Sequence, residues 1–342
     1  MKIRRKSFIL PLLTIFIFLV LLILGEFYIL KNFYEVLFKP YDASGKVEVI
    51  IPEGTSTKEV AKILEEKKVI KNSWLFQYYI RSKKQDKNIK SGEYEFDINS
   101  SYAVVIGKLI QGPPQPETYT FTIPEGYTLY EIAEKVEEST PISKKTFICN
   151  ANIEDYNYEF LNDVESLEGF LFPKTYTFLK GTSAHDIINE FLKQFKEETK
   201  NLNFDLASQK NLTIKDIIAI ASLIEREVYI PKERELVSAV IYNRLKGDMQ
   251  LAIDATIRYV LNKWDDELTQ SDLSIDSPYN TRIYRGLPPT PICNPGIESI
   301  KAALNPADVD YLYFVVNDEE KHSHFFTNSE TEFYNFLNNL EK

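Results

Sequence analysis

The sequence is short of histidine and cysteine. Its 342 residues hold three histidines, His185, His322 and His324, and two cysteines, Cys149 and Cys293. No HExxH run or paired Cys/His spacing occurs. The chain therefore offers no metal-ligand set and calls for no cofactor. Two thiols are too few for a disulfide framework. A single Cys149–Cys293 bridge stays open, because spacing alone does not bring two thiols together. Basic clusters are also missing from the body of the chain. The first 39 residues carry six Lys/Arg against two Asp/Glu, so a whole-chain net charge of −10 leaves −14 on the remainder. That balance argues against nucleic acid as a partner, since phosphate binding needs clustered basic residues. Apolar content of 44% and charged content of 26% are those of a globular protein, and the length suits about two domains beyond an anchor.

The one long apolar run lies at the N-terminus. Residues 1–7, MKIRRKS, carry four positive charges, and residues 8–24 form a charge-free stretch of 17 that continues apolarly to Leu30 around Glu26. The length is at the lower edge for spanning a bilayer. No small-x-small cleavage site follows it, so an uncleaved signal-anchor over 8–30 is favoured over a removed signal peptide. The flanking basic cluster argues against a buried core helix. Positive charge ahead of the span places residues 1–7 in the cytoplasm and the large body outside. Residues 31–46 read as a juxtamembrane linker.

A strand, a Pro-Glu-Gly turn and a capped amphipathic helix follow over 47–70. Further helices are expected over 74–81 and 101–110, and a strand over GEYEFD, 92–97. This pattern over 47–112 resembles a LysM-like module, the small βα unit of wall proteins that bind N-acetylglucosamine glycans; a plain scaffold unit fits the same residues. Gly112, Pro113, Pro114 and Pro116 then mark a boundary, opening a second region over 113–340 with a sub-lobe at 117–200. Ile123-Pro124-Glu125-Gly126 echoes Ile51-Pro52-Glu53-Gly54 at an offset of 72 residues. The echo suggests a repeated strand-turn-helix unit, although convergent turn and cap chemistry would look the same. The expected fold class is α+β: a transmembrane helix, a small LysM-like unit and a larger mixed region.

Within that larger region, residues 213–245 read as two helices joined at Tyr229, Ile230 and Pro231. Thr213 and Asp216 make a variant capping box. The interior from Ile217 to Ile224 is almost wholly apolar and belongs in a core. Glu225 continues the stripe of Ile214, Ile217, Ile218 and Ala221. A carboxyl on such a stripe favours its neutral form, which describes a general acid and equally a structural glutamate paired with arginine. Glu227 points about 200° away by the helical repeat, as a supporting residue would. Residues 166–178 are rich in aromatics; Phe170, Phe172, Tyr176 and Phe178 suit core packing better than a sugar-stacking wall. Asp254 is placed to cap a helix carrying Ile257, Val260 and Leu261, and residues 277–296 form a long proline-rich loop. A buried strand over 311–317, a second strand over 322–327 and a helix over 330–340 close the chain.

These stretches occur in a recognisable order: LEGFLFPKTY (167–176), IASLIEREV (219–228), ERELVSAVIYNRLKGDMQL (233–251), Asp254-x-Thr256, SPYNTR (277–282), GLPPTPICNPG (286–296) and YLYFVVN with HxHFF (311–326). Together they resemble the endolytic murein transglycosylase, or YceG-like, family over roughly residues 47–340. The resemblance implies cleavage of the MurNAc-β-1,4-GlcNAc bond inside nascent peptidoglycan. The sugar's own C6 hydroxyl attacks, leaving a 1,6-anhydroMurNAc end. Glu225 matches the family's catalytic glutamate, acid first and base second. Asn243, Asp254, Thr256, Tyr279, Asn280 and Thr281 match motif positions that could line a glycan groove, and capping or loop-fixing roles suit them equally. Relatives carry Gln-Thr where this chain has Ala252-Ile253. The implied partners are glycan strands, the membrane through 8–30, and peptidoglycan synthases. Two alternatives stay open: a muramidase using Asp254 or Glu233 as base, and a non-catalytic wall-binding scaffold.

Overall fold

The computed structural model describes residues 9–38, 45–208, 211–318 and 322–340. The expected cytoplasmic tail, 1–7, and part of the expected linker, 39–44, lie outside the described residues. The chain divides into two compact units, the first ending at Pro116 and the second beginning at Glu117.

The first unit starts with α1 (Ile9–Phe38), whose stretch Leu13–Lys31 is apolar, exposed and long enough to cross a bilayer. The helix does not give way to a linker at residue 31. It runs unbroken to Phe38, and Leu37 is buried in the core of the unit beside Val49, Leu64 and Phe96. There follow β1 (Lys46–Ile51), α2 (Thr57–Glu66), α3 (Ser73–Ser82), β2 (Gly92–Asp97) and α4 (Tyr102–Gln111). β1 and β2 pair antiparallel with Val49 opposite Tyr94 and Val47 opposite Phe96. Alternation turns Val49, Ile51, Tyr94 and Phe96 inward.

The second unit comprises β3 (Thr118–Thr122), α5 (Leu129–Ser139), α6 (Lys144–Asn150), β4 (Thr175–Leu179), α7 (Ala184–Thr199), α8 (Asp205–Ser208) and α9 (Ile214–Glu227). It continues with α10 (Arg234–Lys246), α11 (Ala255–Leu261), α12 (Gln270–Leu273), α13 (Ile297–Leu304), β5 (Tyr313–Asp318), β6 (Ser323–Thr327) and α14 (Glu330–Leu340). β3 pairs with β4, and β5 with β6. Among the described residues every sheet is a two-stranded antiparallel ribbon, so the architecture is α+β rather than wound α/β. Hairpins this small are not stable alone; each leans on helices.

α9 is the spine of this unit. Thr213 and Asp216 form the capping box at its start, and every residue from Ile217 to Ile224 is buried. Each large apolar side chain there contributes about 1.5–3 kcal/mol by burial. Phe170, Phe172, Tyr176 and Phe178 are buried as well, with Tyr176 and Phe178 against Phe191 and Phe170 against Phe195 of α7. They are core rather than a sugar-facing wall. The strand read at 311–317 starts at Tyr313 and is half-exposed rather than buried. Both cysteines are free, Cys149 at the surface and Cys293 in the core, so no bridge joins them.

The repeated Pro-Glu-Gly turn takes the same form twice. Gly54 and Gly126 have φ of +77° and +82°, the left-handed region that glycine enters without cost from a Cβ. Each turn leads into a complete capping box, Ser56 with Glu59 and Thr128 with Glu131. Only the second copy is built into the site described next.

Candidate active site

The buried face of α9 holds the loop that completes the site. Ser222 donates from Oγ to the Ala219 carbonyl and accepts the Ile292 amide at 3.0 Å. That fastening carries the 292–296 loop along the helix and presents Gly296 to its C-terminal end. The Gly296 amide donates to Glu225 Oε2 at 2.9 Å. Gly296 is also the N-cap of α13, so the carboxylate sits at the positive end of a helix dipole.

Asn294 fixes that loop from the other side. Its Oδ1 accepts the Gly169 and Leu171 amides, and its Nδ2 donates to the Tyr127 carbonyl and to Glu168 Oε1. The backbones of Asn294 and the 126–127 turn are paired in both directions, Gly126 N to Asn294 O and Asn294 N to Tyr127 O. Glu168 lies fully inside and accepts the Leu129 amide, the Asn294 side chain and the Tyr259 hydroxyl. Burial pushes its carboxyl up to about 8, against the pull of those donors. Arg226 closes the frame: its guanidinium carbon lies 3.4 Å from the Trp264 ring centroid, and Nη1 donates to the Gly126 carbonyl at 3.0 Å.

A cavity of about 620 Å³ opens onto this frame, walled by Glu125, Glu225, Arg226, Glu227, Arg234 and Trp264 among others. A second cavity of about 910 Å³ adjoins it, with Arg244, Arg282, Arg285, Tyr313 and Tyr334 in its walls. Glu227 and Asp254 line both, so the two meet there. Clefts of this size that mix carboxylates, guanidinium groups and aromatic rings suit a polar, ring-containing substrate. Glu227 is held by the Ala255 amide at the start of α11; burial, then the neighbouring Asp254 carboxylate, push it up to about 7. Asp254 stands at the N-cap position of α11 but its side chain makes no cap hydrogen bond; its carboxylate pairs with Arg282. Glu125 is likewise raised, by partial burial first and by the nearby Glu225 charge second. Among the described residues no cluster of His, Cys, Asp and Glu could hold a metal ion.

The family follows from comparison with known proteins, which matches residues 49–339 to the YceG-like family. The chain belongs to that family. A Bacillus subtilis relative named endolytic murein transglycosylase is 36% identical over 310 residues, covering 86% of this chain and 85% of that protein. A Streptococcus pneumoniae R6 relative of the same name is 31% identical over 356 residues, covering 95% of this chain; the chain spans 64% of that relative's length. A crystal structure of a yceG-like protein from Listeria monocytogenes superposes with a TM-score of 0.58 at 33% identity, over 86% of this chain and 100% of that one.

Within this YceG-like unit, the sequence-derived residues fall into two groups. Glu225, Glu227 and Asp254 share the cleft. Glu227 reaches the same wall as Glu225 despite the helical repeat, because the cavity wraps the end of α9 rather than one face of it. Asn243, Thr256, Tyr279, Asn280 and Thr281 line neither cavity. Asn243 donates to the Val309 and Tyr311 carbonyls. Thr256 and Thr281 are buried against each other, and Thr281 Oγ1 accepts the Ile253 amide. Asn280 braces its own loop through the Leu273 and Ile275 carbonyls, and the Tyr279 hydroxyl meets Thr290 at 2.8 Å. Glu233 is spent on His324, whose Nδ1 lies 2.6 Å away and whose amide it also accepts. Reading the sequence missed Glu125, Glu168, Arg226, Arg234 and Trp264 as site or frame residues. The second Pro-Glu-Gly copy was the one signal that could have pointed to Glu125.

Proposed function

We propose that this YceG-like chain is a membrane-anchored lytic transglycosylase. It cleaves the MurNAc-β-1,4-GlcNAc bond inside nascent peptidoglycan strands and leaves a 1,6-anhydroMurNAc end. The observation that carries the reading is Glu225: a carboxyl at the wall of the cleft, held by one oxygen on the Gly296 amide. Its Oε1 makes no hydrogen bond among the described residues, which leaves it open to a glycosidic oxygen. Protonated, Glu225 delivers its proton to the leaving O4 as the C1–O4 bond breaks. The Glu225 carboxylate so formed then takes the proton of the same sugar's C6 hydroxyl as O6 closes on C1, which restores the acid. That nucleophile is intramolecular and gains from proximity, with no bound water to activate. The names of the B. subtilis and S. pneumoniae relatives support the same reaction.

The apolar helix Leu13–Lys31 supports a single-pass anchor, and the basic residues ahead of it support a cytoplasmic N-terminus with the cleft on the wall side. Coupling to peptidoglycan synthases would place cutting where strands are made. The test is a digest of purified sacculi by the wild type and Glu225→Gln, read by mass. The wild type should release anhydro ends and the variant should lose at least about 100-fold in rate. An equally active variant would end this reading and favour a wall-binding scaffold.

A second reading has one observation behind it. Glu125 supplies another carboxylate at the cavity, and a muramidase could use one to activate water. Hydrolysed ends are one water heavier than anhydro ends, so the same spectra separate the two.

A further inference from the structure

The acid excess of the chain does not mean that its body lacks a basic cluster. Residues 67–90 hold eight Lys/Arg against one acid, Asp86, a net of +7 in a chain whose total is −10. All eight side chains are exposed. Lys46, elsewhere on the same unit, pairs with Glu95, but no carboxylate pairs with Arg81, Lys83, Lys84 or Lys87 among the described residues. In the middle of this stretch stands α3, which is apolar on two sides. Phe76, Tyr79 and Ile80 turn into the core of the first unit. Trp74 and Tyr78 turn outward, 72% and 59% exposed, one helical turn apart with their rings stacked at 6.2 Å and 13°. A core needs only the first face; the second is left for a partner outside the chain.

That partner is set by α1. Its apolar stretch ends at Lys31, and six residues further on Leu37 is already in the core of the unit. At 1.5 Å per helical residue the step is about 9 Å, and α1 is unbroken across it. The headgroup layer on one side of a bilayer is about 5–8 Å thick, so the side of the unit nearest the span stands at the headgroups. α1 packs on α4, and α4 packs on α3. Tyr102 rests edge-on against Phe76, and its hydroxyl donates to the Asn72 carbonyl at 2.9 Å, so the two helices meet at their starts. Val104, on that first turn of α4, is 46% exposed. Trp74 and Tyr78 are thus one helix removed from the span.

We propose that the outer face of α3 is a membrane-docking surface. Trp74 and Tyr78 seat in the headgroup layer of the leaflet from which α1 emerges, and Arg81, Lys83, Lys84 and Lys87 bind anionic phospholipid headgroups around them. The proposal rests on the reading of α1 as a membrane anchor. Tryptophan and tyrosine favour this depth because each joins an apolar ring to a polar edge. Each Lys/Arg close to an anionic leaflet strengthens binding about fivefold. Residues 117–342 carry a net charge of −16, so that attraction is confined to the first unit. A single spanning helix leaves the unit above it free to swivel about the helix axis. Docking of α3 removes that freedom and fixes how the first unit stands on the membrane.

The chain has two tryptophans, Trp74 and Trp264, so the emission that Trp74→Phe removes belongs to Trp74. The full chain is reconstituted in vesicles of phosphatidylglycerol or of phosphatidylcholine, with acyl chains either plain or brominated near the headgroup, since bromine quenches only a ring that reaches the lipid. Brominated phosphatidylglycerol should cut the Trp74 emission at least about twofold, and brominated phosphatidylcholine far less. The triple variant Arg81→Glu, Lys84→Glu, Lys87→Glu should lose that quenching and keep the wild-type melting temperature, because all three side chains are exposed. Equal Trp74 emission in plain and brominated phosphatidylglycerol overturns the proposal. So does equal quenching in the two lipids, or undiminished quenching in the triple variant. A Trp74 blue shift on adding uncross-linked glycan strands to the chain in detergent, without quenching by lipid, would overturn it in favour of a glycan platform. An alkaline carbonate wash tests the anchor separately. A chain that washes off the vesicles sinks the anchor reading; one that stays, with Trp74 unquenched, sinks this proposal alone.

Discussion

Arg226 lies flat on Trp264, its guanidinium carbon 3.4 Å from the ring centroid, while its Nη1 holds the Gly126 carbonyl. One side chain thus ties the end of α9 to the turn that carries Glu125. Lysine can supply the charge but not the planar fork or the stacking. We expect Arg226→Lys to cost about 1 kcal/mol of stability and about tenfold or more in kcat/KM, through misplacement of the wall that carries Glu225. Trp264→Ala should do the same, and the double variant should be little worse than either single one, because the pair acts as a unit. Thermal melts and initial rates on glycan strands check both.

Glu168 makes stability depend on pH. Its carboxyl titrates near 4.5 ordinarily and is pushed up to about 8 by burial. Below pH 4.5 it is protonated in folded and unfolded chains alike, and its contribution is fully present. Between 4.5 and 8 the folded chain holds a proton that the unfolded chain has lost, so stability falls as pH rises. One such group can contribute up to about 1.4 kcal/mol per pH unit. Glu168→Gln cannot titrate and should show a shallower fall over that window. Glu227, raised to about 7, still titrates in the variant and keeps part of the slope. Chemical denaturation at pH 5, 6, 7 and 8 would show it; parallel slopes for the two proteins would contradict the assignment.

The buried threonines separate support from contact. Thr281 Oγ1 accepts the Ile253 amide and meets Thr256 deep under the cleft. Thr281→Val leaves that amide unpaired and should cost about 1–3 kcal/mol. KM on glycan strands should stay within about twofold of wild type. A raised KM with unchanged melting temperature would move Thr281 into the groove.

The fold was most legible where its causes are local. The helix over 330–340 and the strand over 92–97 match their expected bounds, since caps and periodicity act within a few residues. The Thr213–Asp216 box was legible for the same reason. Burial of the strand at 313 was not, because whether a strand is covered depends on what packs over it. Glu225 could be singled out because an acid on an apolar stripe breaks a local pattern. Glu125 could not, since its turn looks the same in both copies and only the distant 294–296 loop makes one of them part of a cleft. Asn280, Thr281 and Asn243 matched motif positions, but a sequence does not show whether a polar side chain spends itself on backbone or on ligand. Asp254 was read at the right position, the N-cap, but not for the right bond, because its partner Arg282 stands 28 residues away.

The bond between Glu225 and the Gly296 amide spans 71 residues of sequence. A chain made from its N-terminus onward carries the acid long before it carries the amide that seats it, and the 126–127 turn waits longer still for Asn294. Until the loop at 294–296 has emerged, the cleft has neither its anchor nor its second wall. The order of synthesis therefore acts as a safety catch: a wall-cutting chain cut short before that loop holds every carboxylate of the site and the geometry of none.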